Sequence, residues 1–375
     1  MSEHEPIPVY RALLPRTAAI VPYLERMDAK RWYTNRGELV RQLEARLGER
    51  IGTPVMSAAN GTIAIEAAIL ATAGRATAER PLALLPAYTF VATASAVEAC
   101  GYRPYLLDVD ATTWSFASST LEHHPALARA GIVVPVSPYG RAIAQAEWAS
   151  FSERTKIPVV IDAAAAFESL LAHPGTCTGS VPVTLSFQST KAFSSGEGGA
   201  VVWSDEAGLK RIAQALNFGF LYKRESTSAG INGKMSEYHA AVGLAALDAW
   251  ESTGTANRAV ADAYRTAAHA HGISERLFVA PDVASNYAIV DAGTPARALE
   301  LIAALGNERI ESRLWYGSGL QAEPYWRDAE SDALDITERI APALVGLPMA
   351  PDLDVSSIAR IVEIAARTLR LKLRQ

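Results

Sequence analysis

The sequence has few lysines, few cysteines, no excess of positive charge and no long apolar run. Seven lysines stand against twenty-eight arginines, and the formal net charge is −5. This balance argues against nucleic acid or an anionic membrane as a partner. The two cysteines, Cys100 and Cys177, lack metal-binding spacing and indicate neither a disulfide framework nor a metal site. No apolar run approaches the roughly 18–20 residues that cross a bilayer.

In other respects the composition is that of an ordinary globular protein. Hydrophobic residues make up 49% and charged residues 20% of the 375 residues. This length and apolar content suit two or three domains or one large one. The N-terminal segment 1–16 contains Glu3 and Glu5 and has no apolar stretch of the kind found in signal peptides. We therefore expect a cytoplasmic protein.

Helical and strand-like patterns alternate along the first two thirds of the chain. Several predicted strands are continuous apolar runs, which is typical of a mostly parallel sheet covered by helices on both faces. We predict an α/β fold with a large domain over 1–245 and a smaller C-terminal α+β domain over 246–375. The predicted strands are 82–88, 102–110, 131–140, 157–163, 184–187, 200–203, 286–291 and 308–316, and the predicted helices are 39–51, 62–74, 92–101, 146–156, 239–251, 256–271 and 356–373.

Two polar residues follow predicted strands. Lys191, in LSFQSTKAFSSGEGGAVVWS, lies between a strand-like run and a run of glycines, and lysine is scarce in this chain. Asp162 directly follows the apolar run IPVVI. In open parallel sheets, ligands bind beyond the carboxyl ends of the strands. Each residue also has an ordinary interpretation, because Lys191 suits a solvated turn and Asp162 suits the cap of a following helix.

A third stretch, AANGTIAIEA, places Gly61 and Thr62 at the start of an alanine-rich helix. Such a start binds anions readily, although the same residues also form turns and caps. A lysine, a carboxylate and a phosphate-binding helix start together suit pyridoxal 5′-phosphate (PLP). The lysine forms a Schiff base and moves protons, and the carboxylate pairs with the pyridinium nitrogen. Phe90 either stacks on the cofactor ring or packs in the core.

Seven stretches occur in the order and spacing of one known family. They are RWYTNRGELVRQLEARL, SAANGTIAIEAAI, LPAYTFVATASAVEACGYRPYLLDVD, VPVSPYG, IPVVIDAAAAF, SFQSTKAFSSGEGGAVV and GINGKMSEYHAAVGLAAL. Through them most of the chain resembles the DegT/DnrJ/EryC1/StrS sugar aminotransferases. These are PLP enzymes of aminotransferase fold type I, so the resemblance implies that fold and that cofactor.

The resemblance also implies roles for single residues around the cofactor. Lys191 matches the Schiff-base lysine, and Asp162 matches the partner of the ring nitrogen. Ser186 is similar to the serine that hydrogen-bonds the phosphate, and its alternative is an ordinary strand residue. Gly61 and Thr62 are implied to add backbone and hydroxyl donors to the same phosphate.

Further implied contacts concern the ring face, a partner subunit and the substrate. Phe90 stands where the family has a stacking aromatic. Asn232 is similar to the asparagine that reaches the phosphate of the neighbouring subunit, which implies a homodimer with shared active sites; its alternative is turn formation. The residues predicted to contact the substrate are Tyr139, Lys223, Arg313 and Tyr316. Lys223 alternatively lies in a solvated turn. Arg313 and Tyr316, in the predicted small domain, alternatively pack against the large domain.

Some positions depart from the family pattern. Ala165 stands where an amide usually approaches the ring oxygen, and Phe167 lies where a histidine often follows. These changes bear on the electronics of the ring and leave the Schiff base intact. The other departures are Glu38, Gln188 and Lys234.

The implied function is a PLP-dependent aminotransferase. It would move the amino group of L-glutamate, through the pyridoxamine 5′-phosphate form, to a nucleotide-linked 4-keto (or 3-keto) 6-deoxy sugar. Two alternatives stay open: a small keto substrate without a nucleotide, and a catalytically silent protein of the same fold. Lys191 argues against the family's sugar 3-dehydratases, which carry histidine there. The sugar, the nucleotide and the pathway product, such as a lipopolysaccharide or antibiotic sugar, stay open.

Overall fold

The computed structural model describes residues 5–370. Its α-helices are α1 (Thr17–Lys30), α2 (Glu38–Ile51), α3 (Gly61–Thr72), α4 (Val91–Ala99), α5 (Gln145–Thr155), α6 (Phe167–Ala172), α7 (Pro174–Cys177), α8 (Glu206–Ala215), α9 (Glu237–Asp248), α10 (Trp250–His271), α11 (Pro295–Asn307), α12 (Asp335–Ile340) and α13 (Val355–Arg370). Its strands are β1 (Val55–Ala58), β2 (Leu82–Pro86), β3 (Arg103–Leu107), β4 (Ala130–Val133), β5 (Ile161–Asp162), β6 (Val183–Ser186), β7 (Gly199–Val202), β8 (Leu277–Phe278), β9 (Ile289–Asp291), β10 (Glu330–Ser331) and β11 (Leu344–Gly346).

The large domain is built on two four-stranded sheets that are joined edge to edge by single β-bridges. Their strand orders are β1-β7-β6-β5 and β10-β3-β2-β4. Single bridges from Val133 to Val159 and from Val136 to Asp162 join β4 to β5 in parallel. Strand β7 is antiparallel to both of its neighbours, β1 and β6, and the other strand pairs that the structure describes in this combined sheet are parallel. The predicted mostly parallel sheet is therefore confirmed.

Side chains of the central strands alternate between two hydrophobic cores. On β2, Leu82 and Leu84 belong to one core, while Ala83 and Leu85 belong to the other. This follows from the two-residue period of a strand. Helices α2 and α9 cover the first face, and α3, α4 and α8 cover the second. Because both faces are covered, β2 is apolar at every position, as its sequence indicated.

The small domain has its own core and a three-stranded antiparallel sheet, β11-β9-β8. Helix α10 joins the two domains, since Trp250 at its start packs in the large-domain core and Val260 packs in the small-domain core. Two segments cross the predicted boundary at residue 245. Ile7, near the N-terminus, bridges to Ile310, and β10, from the C-terminal part, pairs with β3.

Three predicted strands are shorter than expected or absent. The strand predicted over 157–163 is reduced to β5, because Pro158 cannot donate to a ladder. The one predicted over 131–140 ends at Val133, shortly before two prolines. Over 308–316 there is no ladder: Ile310 bridges to Ile7, and Arg313 bridges to Gly346, a different neighbour.

The helix predicted over 356–373 is α13, and its last three predicted positions lie outside the described residues. Within residues 5–370, no helix combines the length and the apolar character needed to cross a bilayer.

Candidate active site

The predicted cofactor residues converge at one edge of the large sheet. Asp162 ends β5 and Ser186 ends β6. Gly61 begins α3 directly after β1, and Phe90 precedes α4 after β2. All four lie at the carboxyl ends of strands that run in the same direction, where parallel sheets bind their ligands.

Asp162 is a buried carboxylate with two hydrogen-bond donors. Its Oδ2 accepts from the hydroxyl of Thr93 at 2.7 Å, and its Oδ1 accepts from the amide of Ala164 at 3.1 Å. Burial raises the pKa of Asp162, while the two hydrogen bonds and the charge of Lys191 act in the opposite direction. Burial thus disfavours the charged carboxylate in the cofactor-free chain, and a cation placed beside it would favour the charged form.

The helix-cap interpretation of Asp162 does not match the structure. Helix α6 begins at Phe167, and its N-cap position is Ala166. The bond from Ala164 to Asp162 forms a local turn well before that helix. The carboxylate therefore has no capping role that would explain its burial.

Lys191 lies in the turn between β6 and β7, on the same edge of the sheet. Its Nζ donates a hydrogen bond to the hydroxyl of Tyr287, a small-domain residue, at 3.2 Å. Its positive charge acts on the pKa of Asp162. The amine and the carboxylate thus belong to one electrostatic site.

The start of α3 and the end of β6 form an anion-binding corner. Asn60 caps α3 by accepting from the amide of Ile63 at 2.9 Å. A Cβ added at Gly61 would lie 2.7 Å from the Cβ of Ser186 and 3.1 Å from its Oγ. Only glycine permits this approach, which brings the serine hydroxyl to the helix N-terminus. Amides at a helix start and an adjacent hydroxyl are donors suited to a phosphate.

Phe90 is a large apolar side chain that is 55% exposed. It precedes the first residue of α4, one turn before Thr93, whose hydroxyl contacts Asp162. Core packing therefore does not explain Phe90. An exposed aromatic face beside a buried carboxylate suits a planar aromatic ligand.

An aromatic cluster closes the site on the small-domain side. Tyr139 is fully buried, and its hydroxyl bonds that of Tyr88 at 2.6 Å. The rings of Tyr139 and Tyr316 stack at 4.5 Å, and the Tyr316 hydroxyl accepts from the Tyr139 amide at 3.1 Å. Burial, with the neighbouring Tyr139, raises the pKa of Tyr316, and Asp162 adds to this effect. Tyr316 is thus close to the site, whereas Tyr139 supports it from within.

Three predicted residues remain: Arg313 and Lys223 for the substrate, and Asn232 for the phosphate of the neighbouring subunit. The guanidinium of Arg313 lies over the ring of Trp315 at 5.3 Å. Lys223 and Asn232 are exposed in the segment between α8 and α9, where Asn232 accepts from the ammonium of Lys234 at 2.7 Å. Within residues 5–370, neither of these two forms a hydrogen bond with Asp162 or Lys191.

Two residues of the site were not predicted. Thr93 occurs in FVATA, three positions after Phe90. This helical spacing places both residues on the same side of the helix start and was the signal from which Thr93 could have been predicted. Tyr287 occurs in the predicted strand segment 286–291, where nothing nearby in sequence points to Lys191. Ala165, the departure from the family pattern, is buried, and a Cβ on Gly140 would lie 2.5 Å from its backbone carbonyl oxygen.

A strand-end lysine, a buried carboxylate, an anion-binding helix start and an exposed aromatic face fit PLP, and with the fold they define a PLP-dependent aminotransferase of fold type I. The chain belongs to the DegT/DnrJ/EryC1/StrS aminotransferase family, whose model matches residues 16–365. The expected fold, family and cofactor are thereby confirmed.

Individual relatives span nearly the whole chain. Protein Rv3402c of Mycobacterium tuberculosis H37Rv is 31% identical over 369 residues, 95% of this chain and 88% of that protein. The Escherichia coli dTDP-4-amino-4,6-dideoxy-D-glucose transaminase is 27% identical over 370 residues, 96% of this chain and 97% of that enzyme. The structure of DesI with its TDP-sugar product has a TM-score of 0.83 at 28% identity, covering 98% of this chain and 94% of that one.

Proposed function

We propose that this aminotransferase moves the amino group of L-glutamate to a nucleotide-linked 4-keto (or 3-keto) 6-deoxy sugar. The observation that carries the proposal is the set of Lys191, Asp162 and the corner formed by Gly61 and Ser186, which is complete in this chain. The substrate class is supported by the relatives, one a dTDP-sugar transaminase and another solved with a TDP-sugar.

Each residue has a distinct task in this proposal. Bound PLP supplies an aldehyde that carries the amino group and a ring that withdraws electrons. Lys191 holds the cofactor and moves a proton at Nζ. Asp162 places a negative charge beside the ring nitrogen, and Thr93 keeps that carboxylate oriented. Phe90 covers one face of the ring.

Phosphate and substrate binding are assigned to the remaining residues. The corner of Gly61, Thr62 and Ser186 binds the cofactor phosphate through amides and hydroxyls. Tyr316 and Arg313 lie on the small domain, facing the substrate, with Tyr139 supporting Tyr316 from behind. Lys223, in the exposed segment that also carries Asn232, would serve the site of the partner subunit, where it would bind a substrate diphosphate as a point charge.

The proposal includes a homodimer with shared active sites. Asn232 would complete the phosphate site of the partner. The surface near it exposes Phe218 and Tyr222, at 45% and 82%, and also Tyr33 and Tyr238, whose rings stack at 6.2 Å. Exposed aromatic side chains of this kind are enriched at protein interfaces.

Absorbance spectra test the chemistry directly. With PLP, the wild type should show the band of lysine-bound cofactor, and L-glutamate should bleach it. Lys191→Ala should fold normally but show neither the band nor turnover. Nucleotide-linked keto-sugars should then restore the band in the wild type. Restoration only by small keto compounds other than 2-oxoglutarate, which reverses the glutamate reaction in any case, would support the alternative substrate. A normal rate in Lys191→Ala would refute the assignment, and a band that no amino donor changes would favour a silent protein.

Mixing two variants tests the shared site. Lys191→Ala and Asn232→Ala are each expected to be impaired alone. In a mixed dimer, one site would combine an intact Lys191 with the intact Asn232 of the other subunit. Activity of the mixture above the mean of the separate variants would support sharing. No recovery, in a sample shown by light scattering and mass spectrometry to contain mixed dimers, would contradict it.

A further inference from the structure

Four consecutive small-domain residues, 284–287, each bond to the large domain. The amide of Ala284 donates to the carbonyl of Tyr139 at 2.8 Å. The amide and hydroxyl of Ser285 donate to the carboxylate of Glu168 at 2.6 and 2.8 Å. These contacts fix the segment against the turn that contains Tyr139 and against helix α6, which carries Glu168. The side chains that follow therefore have a defined position.

The next two residues reach the loop that carries the lysine. The side-chain amide of Asn286 donates to the carbonyl of Thr190 at 2.6 Å. The hydroxyl of Tyr287 accepts from Nζ of Lys191 at 3.2 Å. Adjacent small-domain residues therefore hold both the backbone before the lysine and its amine.

The Tyr287 ring is itself held in place. It is 5% exposed, with edge contacts to Tyr139 at 5.3 Å and Trp315 at 5.6 Å. Because packing sets the ring position, removal of the hydroxyl would leave the ring where it is. The hydroxyl is thus a separable feature of the site.

We propose that Tyr287 is a further catalytic residue, which docks the amine of Lys191 whenever that amine is not bonded to the cofactor. The inference rests on the proposed function, in which Lys191 must leave the cofactor and then move a proton. In that step a C–H bond of the amino donor breaks as an N–H bond of Lys191 forms, and an N–H bond breaks when Nζ passes the proton on to the carbon at which the cofactor carries the amino group. Tyr287 keeps its own proton throughout. Its oxygen accepts from Nζ and keeps the amine on the side of the site where the proton is transferred.

The variant Tyr287→Phe removes only the hydroxyl. Tyr264→Phe is the matched control, because Tyr264 is also a buried small-domain tyrosine, with its hydroxyl on the carbonyl of Pro348 at 2.5 Å. In cofactor-free protein, acetic anhydride should label Lys191 about three- to tenfold faster in Tyr287→Phe, the range of one lost hydrogen bond. The exposed Lys156 serves as the internal reference, and labelling in Tyr264→Phe should match the wild type.

A second measurement uses the loaded enzyme. In single-turnover reactions with glutamate, Tyr287→Phe should be about tenfold slower, a loss matching one hydrogen bond. Its deuterium isotope effect at the α-carbon should be larger than that of the wild type, because the proton transfer becomes more limiting. If the Tyr287 hydroxyl had only a structural role, Tyr287→Phe would lose stability as Tyr264→Phe does, and its isotope effect would equal that of the wild type.

The outcomes separate the two hypotheses. A wild type without a lysine-bound cofactor band would end the proposed function. A normal band and turnover, with labelling and isotope effect unchanged in Tyr287→Phe, would overturn only the role of Tyr287. Should that variant not fold, 4-fluorophenylalanine at position 287 fills the place of the hydroxyl with a poor acceptor that does not ionise, and labelling of Lys191 should still rise. Unchanged labelling there would also overturn the inference.

Discussion

Replacing Asp162 with asparagine removes a charge and preserves the shape of the side chain. The carboxylate is 5% exposed and accepts from Thr93 and Ala164 at 2.7 and 3.1 Å. Removing one partner of a buried charge pair costs about 3–5 kcal/mol. Taking the lower value, about 3 kcal/mol, kcat/KM should fall roughly 150-fold. Steady-state kinetics at saturating PLP measure this loss.

In cofactor-free protein, Asp162→Asn should not lower the thermal stability, although it lowers the activity. Burial raises the pKa of Asp162, so the folded chain holds this proton more tightly than the unfolded chain. The stability contribution is therefore present at low pH and is lost as pH rises from about 4, the unfolded value, through the folded pKa. Without PLP at about pH 8, Asp162→Asn should have a Tm no lower than the wild type. PLP should raise the Tm of the wild type more than that of the variant.

Glu237→Gln is the matched control for this experiment. Glu237 is 1% exposed, and its carboxylate accepts from the amides of Leu39 and Val40 at 2.7 and 3.3 Å, at the start of α2. Its replacement should lower the Tm equally with and without PLP, since its role is to cap a helix. If Asp162→Asn kept a normal rate, or lost stability in the same way as Glu237→Gln, the reasoning would be refuted.

Two further substitutions test the cofactor contacts. Gly61→Ala would place a Cβ 2.7 Å from that of Ser186, so we expect a loss of PLP affinity of at least about tenfold, measured by absorbance titration; unchanged affinity would contradict the proposed corner. Phe90→Ala should change the Tm of cofactor-free protein very little, because the side chain is 55% exposed, yet weaken PLP binding about two- to tenfold through lost stacking. A large drop in Tm without PLP would instead show that Phe90 is a packing residue.

Local patterns were sufficient for much of the fold and for part of the site. The apolar runs before Asp162 and around Ser186 indicated buried parallel strands, since a sheet covered on both faces excludes polar positions. The position of Lys191 after a strand followed from the same patterns. The extended strand over 308–316 was wrong, because β-pairing depends on distant partners that the local sequence does not encode.

Residues that act together from distant parts of the chain could not be predicted. Thr93 contacts Asp162 across 69 positions, and Tyr287 contacts Lys191 across 96. Neither pair has a spacing rule, since each depends on which helices and loops pack side by side. For the same reason β10 returns to the large-domain sheet from the C-terminal part of the chain.

The residue types and their order thus predicted the chemistry of this enzyme, but they did not predict the geometry of its site. A strand followed by Asp162, a turn with Lys191 and a glycine at the start of α3 indicated the cofactor, because backbone periodicity and helix starts are local properties. The protonation of the buried carboxylate and the docking of the amine on Tyr287 depend on folding. Burial and contact distance exist only once the two domains have packed together, and these quantities set the energies of charges and hydrogen bonds.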